Sequence, residues 1–165
     1  MAVKNIRIKS MVKSTVVLTV PHLNLRRTWA KKGAIQMISL ENLEQAIFEP
    51  GVEFLFKSGL LFIDDLDTRV TLGLEQPGVT PDTVEIIELT DEYAKTLLQN
   101  TTLSEFQEKI KKLSISQVQE LTSIAIELSI TDYHRCEILK SATGKDVLKI
   151  VLRNKEEEAA DQATS

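Results

Sequence analysis

Cysteine is nearly absent. Cys136 is the only one, so no intramolecular disulfide can staple the fold, which suits a reducing compartment or a particle assembled in one. Histidine is almost as scarce, with His22 and His134 in different halves of the chain. Aromatic residues make up 5% of the sequence, and only Trp29 and Phe48 fall in the first fifty positions. A stacking platform for single-stranded nucleic acid uses more than that. Long apolar runs are missing too. Val16-Val17-Leu18 is framed by Thr15 and Thr19, and Gly59-Leu60-Leu61-Phe62-Ile63 stops at Asp64-Asp65. Neither approaches the roughly 7–15 residues of a secretory signal core or the ~20 of a membrane span. The expectation is a chain with no targeting segment and no membrane partner.

The most informative absence is of acids. Residues 1–40 contain Lys4, Arg7, Lys9, Lys13, Arg26, Arg27, Lys31 and Lys32 and no Asp or Glu, a charge of +8. The remainder holds 12 basic against 24 acidic residues, which brings the whole to −4. Opposed potentials on one molecule govern association and steering more than fold. Such a basic stretch can meet nucleic acid, an acidic protein surface, or the acidic part of another copy. It can also be no more than the solvated face of strands, where Lys and Arg are common.

What is present is otherwise ordinary: 165 residues, 42% hydrophobic and 27% charged, enough to bury a core without metals or disulfides. From Val3 to Ile38 the apolar period is two. Ile6 and Ile8 alternate with Arg7 and Lys9; Val16, Leu18 and Val20 with Thr15, Val17 and Thr19; Leu23 and Leu25 with His22, Asn24 and Arg26; Ile35 and Met37 with Gln36. This predicts an antiparallel β unit, with turns at Met11–Ser14 and at Ala30–Gly33, where glycine accepts a positive φ. Ser39 is placed to cap a helix whose Leu40, Leu43 and Ile47 share a face. Pro50 opens another helix, with Gly59 ending it, Leu60–Ile63 a buried strand, and Asp64–Leu72 a helical turn or two.

Gln76-Pro77-Gly78-Val79-Thr80-Pro81 has the composition of a linker, and Val84–Leu89 of a short strand. The period then becomes helical. Thr90 caps one helix, and Thr102 and Glu105 form a capping box ahead of Phe106, Ile110 and Leu113. Ser114 and Gln117 form a second box, Thr131 or Asp132 starts a further helix that Gly144 ends, and Asp146–Asn154 is the last. The fold class expected is α+β, an N-terminal antiparallel β-rich unit with short helices and a C-terminal small helical bundle. Its parts are a basic β-rich domain at 1–75, a linker and short strand at 76–90, the bundle at 91–154 and a disordered acidic tail at 155–165.

No catalytic, cofactor or metal signature emerges. The two histidines have no nucleophile in a recognisable activating context. Asp64-Asp65-Leu66-Asp67 lacks the glycine and distal Glu of a calcium loop and suits a helix start. Thr143-Gly144-Lys145-Asp146 has Leu139 where a phosphate loop needs glycine and Asp146 where it needs Ser or Thr, and reads as a helix cap. Cys136 shares the apolar side of its helix with Leu139. The helices on either side of residue 130 could imitate a helix-turn-helix, but Asp132-Tyr133-His134-Arg135-Cys136-Glu137 lacks the basic and amide residues of a recognition helix.

The run Val20-Pro21-His22-Leu23-Asn24-Leu25-Arg26-Arg27-Thr28-Trp29-Ala30-Lys31-Lys32-Gly33-Ala34 and the later Phe48-Glu49-Pro50-Gly51-Val52-Glu53-Phe54-Leu55-Phe56-Lys57-Ser58-Gly59-Leu60-Leu61 resemble small proteins encoded among the virion genes of tailed bacteriophages. The Ile130-Thr131-Asp132 turn and Thr143–Asp146 are similar as well. The resemblance implies a non-enzymatic structural component of the head, neck or tail, assembled in the host cytoplasm and present in symmetric copies. Its partners would be capsid, connector or tail subunits and copies of itself. The expected contact is Arg26, Arg27, Lys31 and Lys32 on an acidic surface, with Trp29 as anchor; the alternative is a nucleic-acid-binding accessory or regulatory protein using the same stretch.

Overall fold

In a computed structural model, residues 3–81 and 83–164 are described; residues 1, 2 and 165 at the ends of the expected first domain and tail, and residue 82 of the expected linker, lie outside them. The chain is mixed α+β and divides into two compact units, Met1–Leu89 and Thr90–Ser165.

The first unit is built on strands of period two. Strand β1 (Asn5–Ser10) buries Ile6, Ile8 and Ser10. It lies between β4 (Ile35–Ser39) and the short β5 (Leu61–Phe62), antiparallel to both, in the order β4-β1-β5. Strands β2 (Val16–Val20) and β3 (Leu25–Trp29) form a separate two-stranded ribbon with Val16 opposite Trp29 and Val20 opposite Leu25. Between them Pro21–Leu23 makes one 3₁₀ turn, and Asn24 closes it at φ 50. His22 therefore sits on a turn, and β3 begins at Leu25. The proline without a donor and the left-handed asparagine interrupt the alternation read through 22–26. Gly33 takes φ 85 in the turn before β4, as the sequence predicts.

Helix α1 (Leu40–Ala46) starts where the Ser39 hydroxyl accepts from the Asn42 N–H. Helix α2 (Pro50–Lys57) has its proline in the first turn and buries Val52 and Phe56. Helix α3 (Leu66–Thr71) carries Arg69, which is buried, stacks on the Phe62 ring at 4.7 Å, and donates to the carbonyls of Ile63 (2.6 Å) and Asp64 (3.3 Å). The cation is thus held by carbonyl dipoles and a ring face.

Two expectations fail between residues 74 and 90. Val84–Leu89 forms no strand, because its backbone donors are taken by a side chain. The Glu75 carboxylate, 2% exposed, accepts from the N–H groups of Glu85 and Ile86, each at 2.9 Å. The segment is also no free linker: Ile86 and Leu89 are buried, and Glu88 pairs with Lys9 on β1 at 2.6 Å. It is a strap on the first unit.

The second unit contains α4 (Asp91–Gln99), α5 (Leu103–Lys111), α6 (Ile115–Glu127), α7 (Tyr133–Thr143) and α8 (Val147–Thr164). Its core is Ala94, Leu97, Phe106, Leu121, Ala125, Leu139, Val147 and Val151 with their buried neighbours. Thr90 caps α4, both capping boxes form, Asp132 caps α7, and Gly144 ends α7 at φ 78. The tail is a third correction: α8 runs on through residue 164 instead of ending near Asn154. Residues 152–163 are exposed throughout, so the tail buries no apolar area, as its composition requires. Lys, Glu, Ala and Gln have high intrinsic helix propensity, and no glycine or proline interrupts the run. No helix among the described residues is long and apolar enough to cross a membrane.

Candidate interaction surface

The five residues expected to form one contact do not share a surface. On β3 the side chains of Leu25, Arg27 and Trp29 lie on one side and those of Arg26 and Thr28 on the other. Trp29 is 0% exposed and donates from Nε1 to the Ile8 carbonyl at 2.9 Å. It is a core residue joining the ribbon to β1, and the proposed anchor is withdrawn. The signal for this was available, because Trp29 follows Leu25 by four on the apolar parity of the strand.

Arg27 lies opposite Leu18 in the ribbon register and is half-buried. Its Nε donates to the Met37 carbonyl at 3.2 Å and its Nη1 to the Arg26 carbonyl at 2.9 Å. Gln36 answers from β4, donating to the Thr28 carbonyl at 2.9 Å. These two bonds stitch β3 to β4, the outer strand of the three-stranded sheet, where open carbonyls would otherwise lack donors. Arg27 is spent on the fold. Lys32 is half-buried, whereas Arg26 and Lys31 are exposed.

Charge is also less polarised in space than along the chain. The unit Met1–Leu89 contains ten Lys and Arg against eleven Asp and Glu, and Thr90–Ser165 contains ten against thirteen. The +8 of the first forty residues is offset within its own unit by the acids of α1, α2, α3 and the strap. Lys9 pairs with Glu88 at 2.6 Å, and Lys4 approaches Asp65 at 3.9 Å. Among the described residues, no carboxylate pairs with Arg7, Arg26 or Lys31. Arg7 faces outward from β1 beside Met37, which is 43% exposed.

Apolar exposure on the first unit escaped the sequence reading. Phe48 is 83% exposed and Phe54 57%. Their positions hinted at it, since Phe48 is off the Leu40-Leu43-Ile47 face, and Phe54 falls between the buried Val52 and Phe56.

The remaining candidates resolve into structural roles. The Asp65 carboxyl accepts from the Thr68 hydroxyl, which, with Lys4 and backbone donors, holds it below its ordinary pKa. Gly144 caps α7 through the Lys140 carbonyl, and Asp146 accepts from the Lys149 N–H at 3.1 Å, so Thr143–Asp146 is a helix junction. Cys136 is buried, and burial pushes its thiol pKa up, with Asp132, Asp146 and Glu137 adding to the effect. His134 is exposed with its ring edge-on to Tyr133. Arg135 is no reading residue. It stacks on Phe106 at 5.5 Å, pairs with Asp132, and donates to the Thr101 carbonyl. A shallow groove between α5 and α7 is lined by Gln107, Ile110, Lys111, Glu137, Ile138 and Ser141. Among the described residues, no three His, Cys, Asp or Glu side chains are grouped to hold a metal.

Comparison with protein-family models, with curated proteins and with solved structures finds no match.

Proposed function

We propose that this chain is a non-enzymatic structural protein of a bacteriophage particle that docks on a neighbouring capsid, connector or tail subunit through its β-rich unit. The observation that carries the docking reading is the pair of exposed cations, Arg26 on β3 and Lys31 in the following turn, left without a carboxylate among the described residues. The particle itself is inferred from the sequence resemblance of residues 20–34 and 48–61. The contact proposed is narrower than the basic stretch: Arg26 and Lys31 meet an acidic protein surface, while Arg27 and Trp29 hold the strands that present them. Arginine offers a fork of donors to carboxylates, which makes Arg26 the centre of the contact.

The test is charge reversal. Arg26→Glu with Lys31→Glu should abolish incorporation into purified particles while circular dichroism and thermal melting stay as in the parent, because both side chains are exposed. Unchanged incorporation overturns the interface. Absence of the parent protein from purified particles, by mass spectrometry, overturns the virion reading.

A further inference from the structure

The open side of strand β2 is the feature with the most definite chemical demand. The ribbon contains only β2 and β3, so one side of β2 has no strand beside it. Among the described residues, the β2 main chain has no hydrogen-bond partner outside β3. Val16, Leu18 and Val20 are 6%, 1% and 1% exposed, whereas Val17 is 44% exposed and Thr15 and Thr19 are exposed. In an antiparallel ladder every second residue turns its N–H and C=O away from the partner strand, so one alternate set of β2 peptide groups reaches the open side.

Free edges are ordinarily blunted by an inward charge, a proline, a bulge or a covering element. From Val16 to Val20 the register with β3 runs unbroken, and residues 14–20 contain neither charge nor proline. We infer that this edge pairs with the same edge of a second copy, antiparallel about a two-fold axis through Val17. The sequence is complementary to itself in that register. Val17 meets Val17 of the other copy, Thr15 meets Thr19, and the open-side donors and acceptors are exchanged between the copies. β-Branched residues suit such cross-strand positions, no charge is opposed within the paired segment, and Lys13 falls opposite Pro21, where the strand has ended. A register shifted by one pair would bring Pro21, which has no N–H, opposite Thr15 within the paired segment. The product is a continuous four-stranded sheet, β3-β2-β2-β3, with an isologous interface.

This pairing stands independently of the docking surface, since Arg26 and Lys31 are not needed to form it. Raising the salt concentration should leave it intact or favour it, because the side chains nearest its rim, Lys13 and Arg26, are basic in both copies. Contact with an acidic partner would weaken under the same change.

The experiment is sedimentation equilibrium on the full chain and on Val17→Lys and Val17→Glu, with circular dichroism to confirm that each variant is folded. The parent should dimerise. Each variant alone should dissociate at least about tenfold more readily, because like charges face each other across the axis. An equimolar mixture of the two variants should recover dimers, since Lys and Glu then oppose one another at the same position. A parent that stays monomeric at about 100 µM, well above the micromolar dissociation constants of standard interfaces, overturns the inference. So does a Val17→Lys variant that dimerises as well as the parent, or a mixture no more dimeric than its components.

Discussion

The two units carry equal numbers of basic residues and similar numbers of acids, yet they are held together by different means. In Thr90–Ser165 most of the polar bonds are local, the exception being Arg135, which donates to the Thr101 carbonyl. Thr102 with Glu105, Ser114 with Gln117, and Asp132 with the Arg135 N–H each close a helix end across three residues. In Met1–Leu89 the decisive bonds are long. Trp29 reaches Ile8, Glu75 reaches residues 85 and 86, Arg27 reaches Met37, and Lys9 reaches Glu88. A helix satisfies its own backbone except at its ends, so capping residues meet most of the demand in the second unit. The first unit is made of short strands and irregular segments whose backbone groups must find side-chain partners far along the chain.

The contrast is most sharply broken at Glu75. Its carboxylate is buried and takes two backbone N–H groups, so Glu75→Gln turns an amide donor toward one of them. The expected loss is about 2–3 kcal/mol, the cost of a charge-assisted bond together with a buried unsatisfied donor. Hydrogen exchange should speed up first at residues 84–89, because the strap loses its clamp. Equal protection of those amides in the variant and the parent would mean that Ile86 and Leu89 hold the strap by packing alone.

The difference between local and long bonds also decides what could be read from the sequence. Both capping boxes, the Ser39 cap, the Gly144 ending and the glycine turn at 33 were legible, since each is a pattern within four residues. The strand alternation was legible for the same reason and correctly placed Ile6, Ile8, Leu18 and Val20 inside. On β4 it chose the wrong face: Ile35 and Met37 are each 43% exposed, and Ile38, on the parity of Gln36, is the buried residue. What failed depended on distance. Nothing adjacent to Glu75 says that its acceptors will claim residues 85 and 86, so 84–89 read as a strand. Trp29 and Arg27 read as surface residues because neighbouring lysines dominated the view, although their parity with Leu25 places them on the core face. The charge polarity was read along the chain, and the fold brings acids from 41–88 back into the same unit. In the tail, composition reported the lack of burial correctly, and helix propensity decided the conformation.

A smaller effect is expected on the other side of the comparison. Ser114→Ala removes the hydroxyl that accepts from the Gln117 N–H at 3.1 Å and should lower stability by about 1 kcal/mol, the usual value of an N-cap. Faster amide exchange should be confined to the first turn of α6. A loss greater than that of Glu75→Gln would reverse the ranking and show that the second unit, too, depends on a few decisive polar groups.

The smallest effect tests the local bonds through pH. Asp132 loses solvation by partial burial, yet the backbone N–H and side chain of Arg135 overcome this and hold its carboxyl below the usual 3.8. A carboxyl that binds its proton less readily in the folded chain contributes stability above its unfolded pKa, and that contribution disappears as pH falls through the folded value. Asp132→Asn keeps an acceptor for the cap but removes the charge facing Arg135. At neutral pH the variant should be less stable by under about 1 kcal/mol, because the pair is partly open to solvent and screened. Below pH 3.8 the melting temperatures of variant and parent should converge, since the parent's Asp132 is then also losing its charge. Curves that stay parallel through that window would show that the Asp132 cap acts by hydrogen bonding alone, with no part played by its charge on Arg135.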